Sequence, residues 1–134
     1  MNLLLDTHIW LWSVGNPKRL SARVARELAR PSNQLWLSPV SVWELLLLHR
    51  KRRIELDEEV GSWVRKTLGA LQLNEAPLTF DVALEVSALN LPHGDPADHF
   101  LVASARVFGL TLVTADRPLI EESGKSGVSV LANQ

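Results

Sequence analysis

Five acidic residues have the spacing and neighbours to do chemistry together. Asp95-Pro96-Ala97-Asp98 sets two carboxylates three residues apart, immediately before the apolar run Leu101-Val102-Ala103-Ser104-Ala105. Asp95 suits a helix cap and Pro96 the first helical position, so Asp98 falls in the first turn, aimed back past the helix N-terminus. Asp6 ends the apolar run Leu3-Leu4-Leu5, Asp116 follows Leu112-Val113-Thr114-Ala115, and Glu44 sits inside Val42-Trp43-Glu44-Leu45-Leu46. If these acids converge, their repulsion raises their pKa values and destabilises the fold unless cations join them. Oxygen-only ligation by a few carboxylates favours Mg²⁺ or Mn²⁺ over zinc. Such a centre activates water and stabilises charge on a phosphodiester, which is metal-assisted hydrolysis.

A simpler account exists for most of them. Any Asp just before a helix supplies a cap worth about 1 kcal/mol, and Asp6, Asp95 and Asp116 all stand at such places. Glu44 fits that account less well, since it lies in mid-helix among apolar residues; its plain alternative is an exposed stripe shared with Ser41.

The elements that must carry these acids alternate regularly. Strands are expected at Leu3 to Leu5, Gln34 to Leu37, weakly at Leu71 to Ala76, at Leu110 to Val113 and at Gly127 to Leu131. Thr7 to Trp12 continues as a helix or turn, stopped by Gly15-Asn16-Pro17. Helices are expected from Ala22 to Ala29 behind Ser21, from Ser38-Pro39 to about Arg52, and from Asp57-Glu58-Glu59 toward Leu71. Others run from Phe80 to Leu89 behind Thr79, from Pro96 to Phe108 before Gly109, and from Pro118 to Glu122. This alternation predicts an α/β fold with a central, mainly parallel sheet, and residues 1–134 read as a single domain. In open parallel sheets ligands bind beyond the carboxyl ends of the strands, where Asp6 and Asp116 would lie.

The 134 residues carry a net charge of −1, so no global electrostatic footprint for nucleic acid exists and an anionic partner needs a local patch or metal ions. The absence of Cys excludes disulfides, thiolate catalysis and Cys-based zinc sites, and suits a reducing cytoplasm. No apolar run approaches the ~20 residues needed to span a bilayer, and the N-terminus lacks the basic start of a signal peptide.

Read in order, Leu-Leu-Leu-Asp-Thr-His-Ile-Trp around Asp6, Ser41-Val42-Trp43-Glu44, Asp95-Pro96-Ala97-Asp98 and Leu112-Val113-Thr114-Ala115-Asp116 resemble a PIN-domain protein. More narrowly the chain resembles the VapC-type toxins of toxin–antitoxin pairs, from Met1 to about Leu131. The resemblance implies a three-layer α/β/α fold and an Mg²⁺- or Mn²⁺-dependent endoribonuclease that hydrolyses RNA phosphodiesters. It implies Asp6, Glu44, Asp98 and Asp116 as the catalytic, metal-binding quartet, with Thr7 and Thr114 supporting it and Asp95 as cap or further ligand. It also implies a homodimer and a cognate VapB-like antitoxin whose C-terminal segment docks in an apolar groove. Where similar toxins often carry Phe and Arg, this chain has Ala97 and His99, a departure that bears on substrate contact rather than on metal binding. A catalytically silent RNA-binding module is the alternative function.

Other residues admit two readings each. The basic run His49 to Arg53 suits RNA phosphates, or simply a solvated helix end with favourable dipole charges. His8, His93 and His99 suit a metal or acid–base set by type, but they stand beside carboxylates, so each suits a hydrogen bond or a contact with substrate phosphate, and none receives a catalytic role. The five Trp residues suit core or interface better than base stacking, with Trp12 or Trp63 as groove residues.

Overall fold

The computed structural model describes residues 1–92 and 94–134; His93 lies outside the described residues. Leu3-Leu4-Leu5 is fully buried on both faces, as a central parallel strand requires, and makes up all of β1 (Asn2–Leu5) but its first residue. β1 pairs on one side with β2 (Gln34–Leu37) and on the other with β4 (Thr111–Thr114). β3 (Asn74–Glu75) and β5 (Val130–Ala132) complete a parallel sheet of order β3-β2-β1-β4-β5.

Because side chains alternate across a strand, Leu3 and Leu5 enter one core and Leu4 the other. The first core gathers Ile9 and Trp10 of α1 (Thr7–Gly15), Val24 of α2 (Ala22–Ala29), Leu45 of α3 (Pro39–Arg50), and Trp63 and Val64 of α4 (Val60–Ala70). The second gathers Leu101, Val102 and Ala105 of α6 (Pro96–Phe108) and Leu119 of α7 (Arg117–Lys125). α5 (Phe80–Leu89) packs on α6, so helices cover both faces of the sheet in three layers.

Several boundaries differ from expectation for local reasons. α3 stops at Arg50 because Lys51 caps it and Arg52 turns left-handed, φ 57°. α4 begins only at Val60, with Glu59 as its cap. The weak third strand shrinks to two residues at the sheet edge, a common guard against edge pairing. α7 runs on to Lys125, and Gly127, at φ 73°, delays β5 to Val130. Between α1 and α2, Pro17–Arg19 forms a single 3-10 turn.

Candidate active site

The strand order reverses between β1 and β4, and the cleft outside their carboxyl ends is where such a sheet offers a binding site. Asp6 follows β1 and caps α1, accepting the Ile9 N–H at 2.8 Å through Oδ1. Its Oδ2 accepts the hydroxyl of Thr114, the last residue of β4. Thr114 Oγ1 in turn accepts the Asp116 N–H at 3.1 Å, and Asp116 caps α7 by accepting the Leu119 N–H at 3.0 Å. One buried hydroxyl thus fixes two of the acids.

The other two come from helices. Glu44, in the middle of α3 and half-buried, accepts the hydroxyl of Thr7 at the start of α1. Asp95 caps α6, accepting the Ala97 N–H at 3.0 Å, and the Asp98 N–H donates to the Asp95 carbonyl at 2.9 Å. α6 leads into β4 of the parallel sheet, so its N-terminus lies at the carboxyl end and brings Asp98 to the cleft. Asp6, Glu44, Asp95, Asp98 and Asp116 line a single cleft of about 440 Å³, together with Thr7, His8, Trp12, Leu101 and Ala115.

The capping account and the convergent account therefore both hold. Asp6, Asp95 and Asp116 are caps, and a carboxylate with about four lone-pair sites can cap a helix and still face a cleft. Glu44 does not lie on an exposed stripe: Ser41, its supposed neighbour there, is buried.

Electrostatically the cleft is charged beyond its own means. Burial, then the neighbouring Asp95, Asp116, Glu44 and Asp6, push the Asp98 carboxyl up to about 7. Burial is also the main cause raising Glu44, and a close approach of Asp95 adds to it. Asp6 is raised by burial against the opposing bonds from Thr114 and Ile9. Two carboxyls within hydrogen-bonding reach need a proton or a cation between them. Among the described residues no three acidic or histidine side chains close tightly enough to chelate an ion directly. The donors are all hard oxygens across an open cleft, which fits a cation that keeps much of its own water, as Mg²⁺ does.

The remaining sequence candidates separate. His99 is absent from the cleft lining and instead lines an adjoining 50 Å³ cavity with Asp98, Leu91, Pro118 and Glu122, where its Nε2 is buried without a hydrogen-bond partner among the described residues. His49 and Arg50 end α3, Lys51 to Arg53 follow it, and none of the run lines the cleft. Trp63 is a core residue whose ring lies 5.2 Å from that of Trp10, tilted by 48°, and it is not part of a groove. Trp12 and His8, by contrast, line the acidic cleft itself, whereas the sequence offered Trp12 for an apolar groove and His8 only for a hydrogen bond or phosphate contact. Their four-residue spacing on a helix capped by Asp6 was the available signal.

Residues 3–122 match the PIN domain family. Ribonuclease VapC22 of Mycobacterium tuberculosis is 34% identical over 119 residues, which span 87% of this chain and 88% of that protein. Among solved structures, VapBC2 from Rickettsia felis bound to a DNA fragment from their promoter superposes with a TM-score of 0.73, at 17% identity over 100% of both chains. FitAcB from Neisseria gonorrhoeae gives 0.64, at 20% identity over 98% of this chain and 97% of that one. These two structural likenesses are of fold alone. The match of the family to most of the chain, the 34% identity to a ribonuclease of that name and the shared fold lead to one conclusion: the chain belongs to the PIN domain family.

Proposed function

We propose that the protein is a metal-dependent endoribonuclease of the VapC toxin type, held in check by a VapB-like antitoxin. The observation that carries this reading is the meeting of Asp6, Glu44, Asp98 and Asp116, from four separate elements, in one cleft. Together they would hold a divalent cation, Mg²⁺ or Mn²⁺, with Asp95 at their edge. When bound, the ion lowers the pKa of water and offsets the charge that develops on the phosphodiester. The chain's own part is orientation. Thr114 holds Asp6 and the backbone leading to Asp116, and Thr7 holds Glu44, so both hydroxyls fix carboxylates that would otherwise repel one another. The ribonuclease name of the 34% identical relative supports RNA as substrate.

The antitoxin reading is supported by an apolar groove between α3 and α4, lined by Val42, Leu46, Val64 and Leu68. A homodimer is supported by Phe80 and Leu84, 90% and 69% exposed one turn apart on α5. No helix among the described residues is long and apolar enough to cross a membrane.

The decisive experiment uses the purified chain free of antitoxin. Single-stranded RNA should be cut on addition of Mg²⁺ or Mn²⁺ and left whole with a chelator, with no cleavage by Asp98→Asn. Equal cleavage with and without chelator would remove the metal from the mechanism.

A further inference from the structure

One part of the cleft wall is not acidic. His8 and Trp12 of α1 line it beside Asp6 and Thr7, their ring centroids 5.6 Å apart and tilted by 51°. The guanidinium carbon of Arg19 lies 4.3 Å from the centroid of the Trp12 ring. Arg19 is exposed, and no carboxylate pairs with it among the described residues. Its place is nonetheless fixed. Asn133 Nδ2 donates to the Arg19 carbonyl at 3.0 Å, Asn133 Oδ1 accepts the Ser21 N–H at 2.6 Å, and the Asn133 N–H donates to the Thr114 carbonyl at 2.8 Å. The turn that carries Arg19 is thereby tied to the end of β4, next to the acids.

Packing accounts for only part of Trp12. It is half-buried against the first core, yet it also faces the cleft, where a purely structural aromatic gains nothing. Charge sharpens the point. Five carboxylates line the cleft and no Lys or Arg does, so a polyanion entering it has no cationic partner except one reaching in from the edge. Arg19, stacked on a lining residue, is such a cation. An aromatic plane with a guanidinium on it is the recurring platform on which proteins stack unpaired bases, and the guanidinium offsets the neighbouring phosphate.

We propose that Trp12 and Arg19, with His8 beside them, form a base-stacking subsite for one nucleotide of single-stranded RNA next to the phosphate being cut. The proposal rests on the nuclease reading above and adds to it a residue pair that selects unpaired RNA. An RNA duplex, its bases stacked on one another, cannot offer a free face to this platform.

The test begins with a fluorescein-labelled single-stranded RNA that the parent chain cuts at a mapped position. Binding is followed by anisotropy in chelator, with a single abasic ribose moved along the strand. At one position beside the cut, loss of the base should weaken binding by the parent roughly tenfold. Trp12→Leu, which keeps apolar bulk against the core, should lose about as much affinity for intact RNA and become indifferent to that abasic position. Arg19→Ala should bind more weakly and show a shallower dependence on salt. With metal added, both variants should raise KM more than they lower kcat. Should Trp12→Leu fail to fold, the abasic walk on the parent and the surface variant Arg19→Ala decide the matter.

The inference is overturned if no abasic position matters to the parent. It is equally overturned if both variants bind and cut RNA as the parent does, which would leave Trp12 to packing or to a protein partner with the nuclease reading intact. A parent chain that neither binds nor cuts RNA with Mg²⁺ or Mn²⁺ overturns the nuclease reading, and this inference with it.

Discussion

Asp98 is the residue on which the cost and the use of the cleft meet. Its carboxyl, pushed up to about 7 by burial and by Asp95, Asp116, Glu44 and Asp6, holds a proton in the folded chain at pH values where the unfolded chain has released it. Between about pH 4 and pH 7 the native state therefore binds more protons than the unfolded state, and linkage makes stability fall as pH rises across that window and level off above it. The metal-free protein should melt at a higher temperature near pH 5.5 than near pH 8. Asp98→Asn removes the titrating group, so it should flatten this slope and melt above the parent at pH 8 while cutting no RNA. Melting curves in chelator at the two pH values check this; a variant that keeps the parent's slope would place the titration elsewhere. Since a cation competes with the same proton, cleavage should rise with pH over the range in which stability falls.

Among elements, α6 shows how a helix start serves two ends. Asp95 accepts the Ala97 N–H, so Asp95→Asn should change the melting temperature little, because Asn caps about as well as Asp. Asp95→Ala should cost about 1 kcal/mol by denaturant titration. If Asp95→Asn instead abolishes metal-dependent cleavage with stability unchanged, its charge serves the ion as well as the helix. Much at this scale was legible in sequence. Asp6, Ser21, Ser38, Thr79, Asp95 and Asp116 all stand before helices as caps, since cap chemistry is local. β3 and β5 were read too long because edge pairing depends on a neighbour the local pattern does not contain. The cleft was only half legible: the acids announce themselves by type, whereas Trp12, which suits an apolar groove by type, is placed among the acids only when α1 is laid beside Asp98 and Asp116. Arg19 gives no local sign at all, because the 3-10 turn and Asn133 place it.

For the molecule as a whole, the proposed homodimer rests on the apolar face of α5. Phe80 and Leu84 expose more apolar surface than a lone chain needs to, and a second copy would remove it from water at about 25 cal/mol per Å². Phe80→Asp should shift the protein from dimer to monomer in sedimentation equilibrium, and a parent chain monomeric at high concentration would refute the pairing. The bond between Thr114 and Asp6 carries a different implication, since it joins residues 108 positions apart and closes the site across β1 and β4. During synthesis, Asp6 emerges from the ribosome long before its partner exists, and its strand waits for β4 as its neighbour. The acidic cleft is therefore not assembled until β4 has been made and has paired with β1.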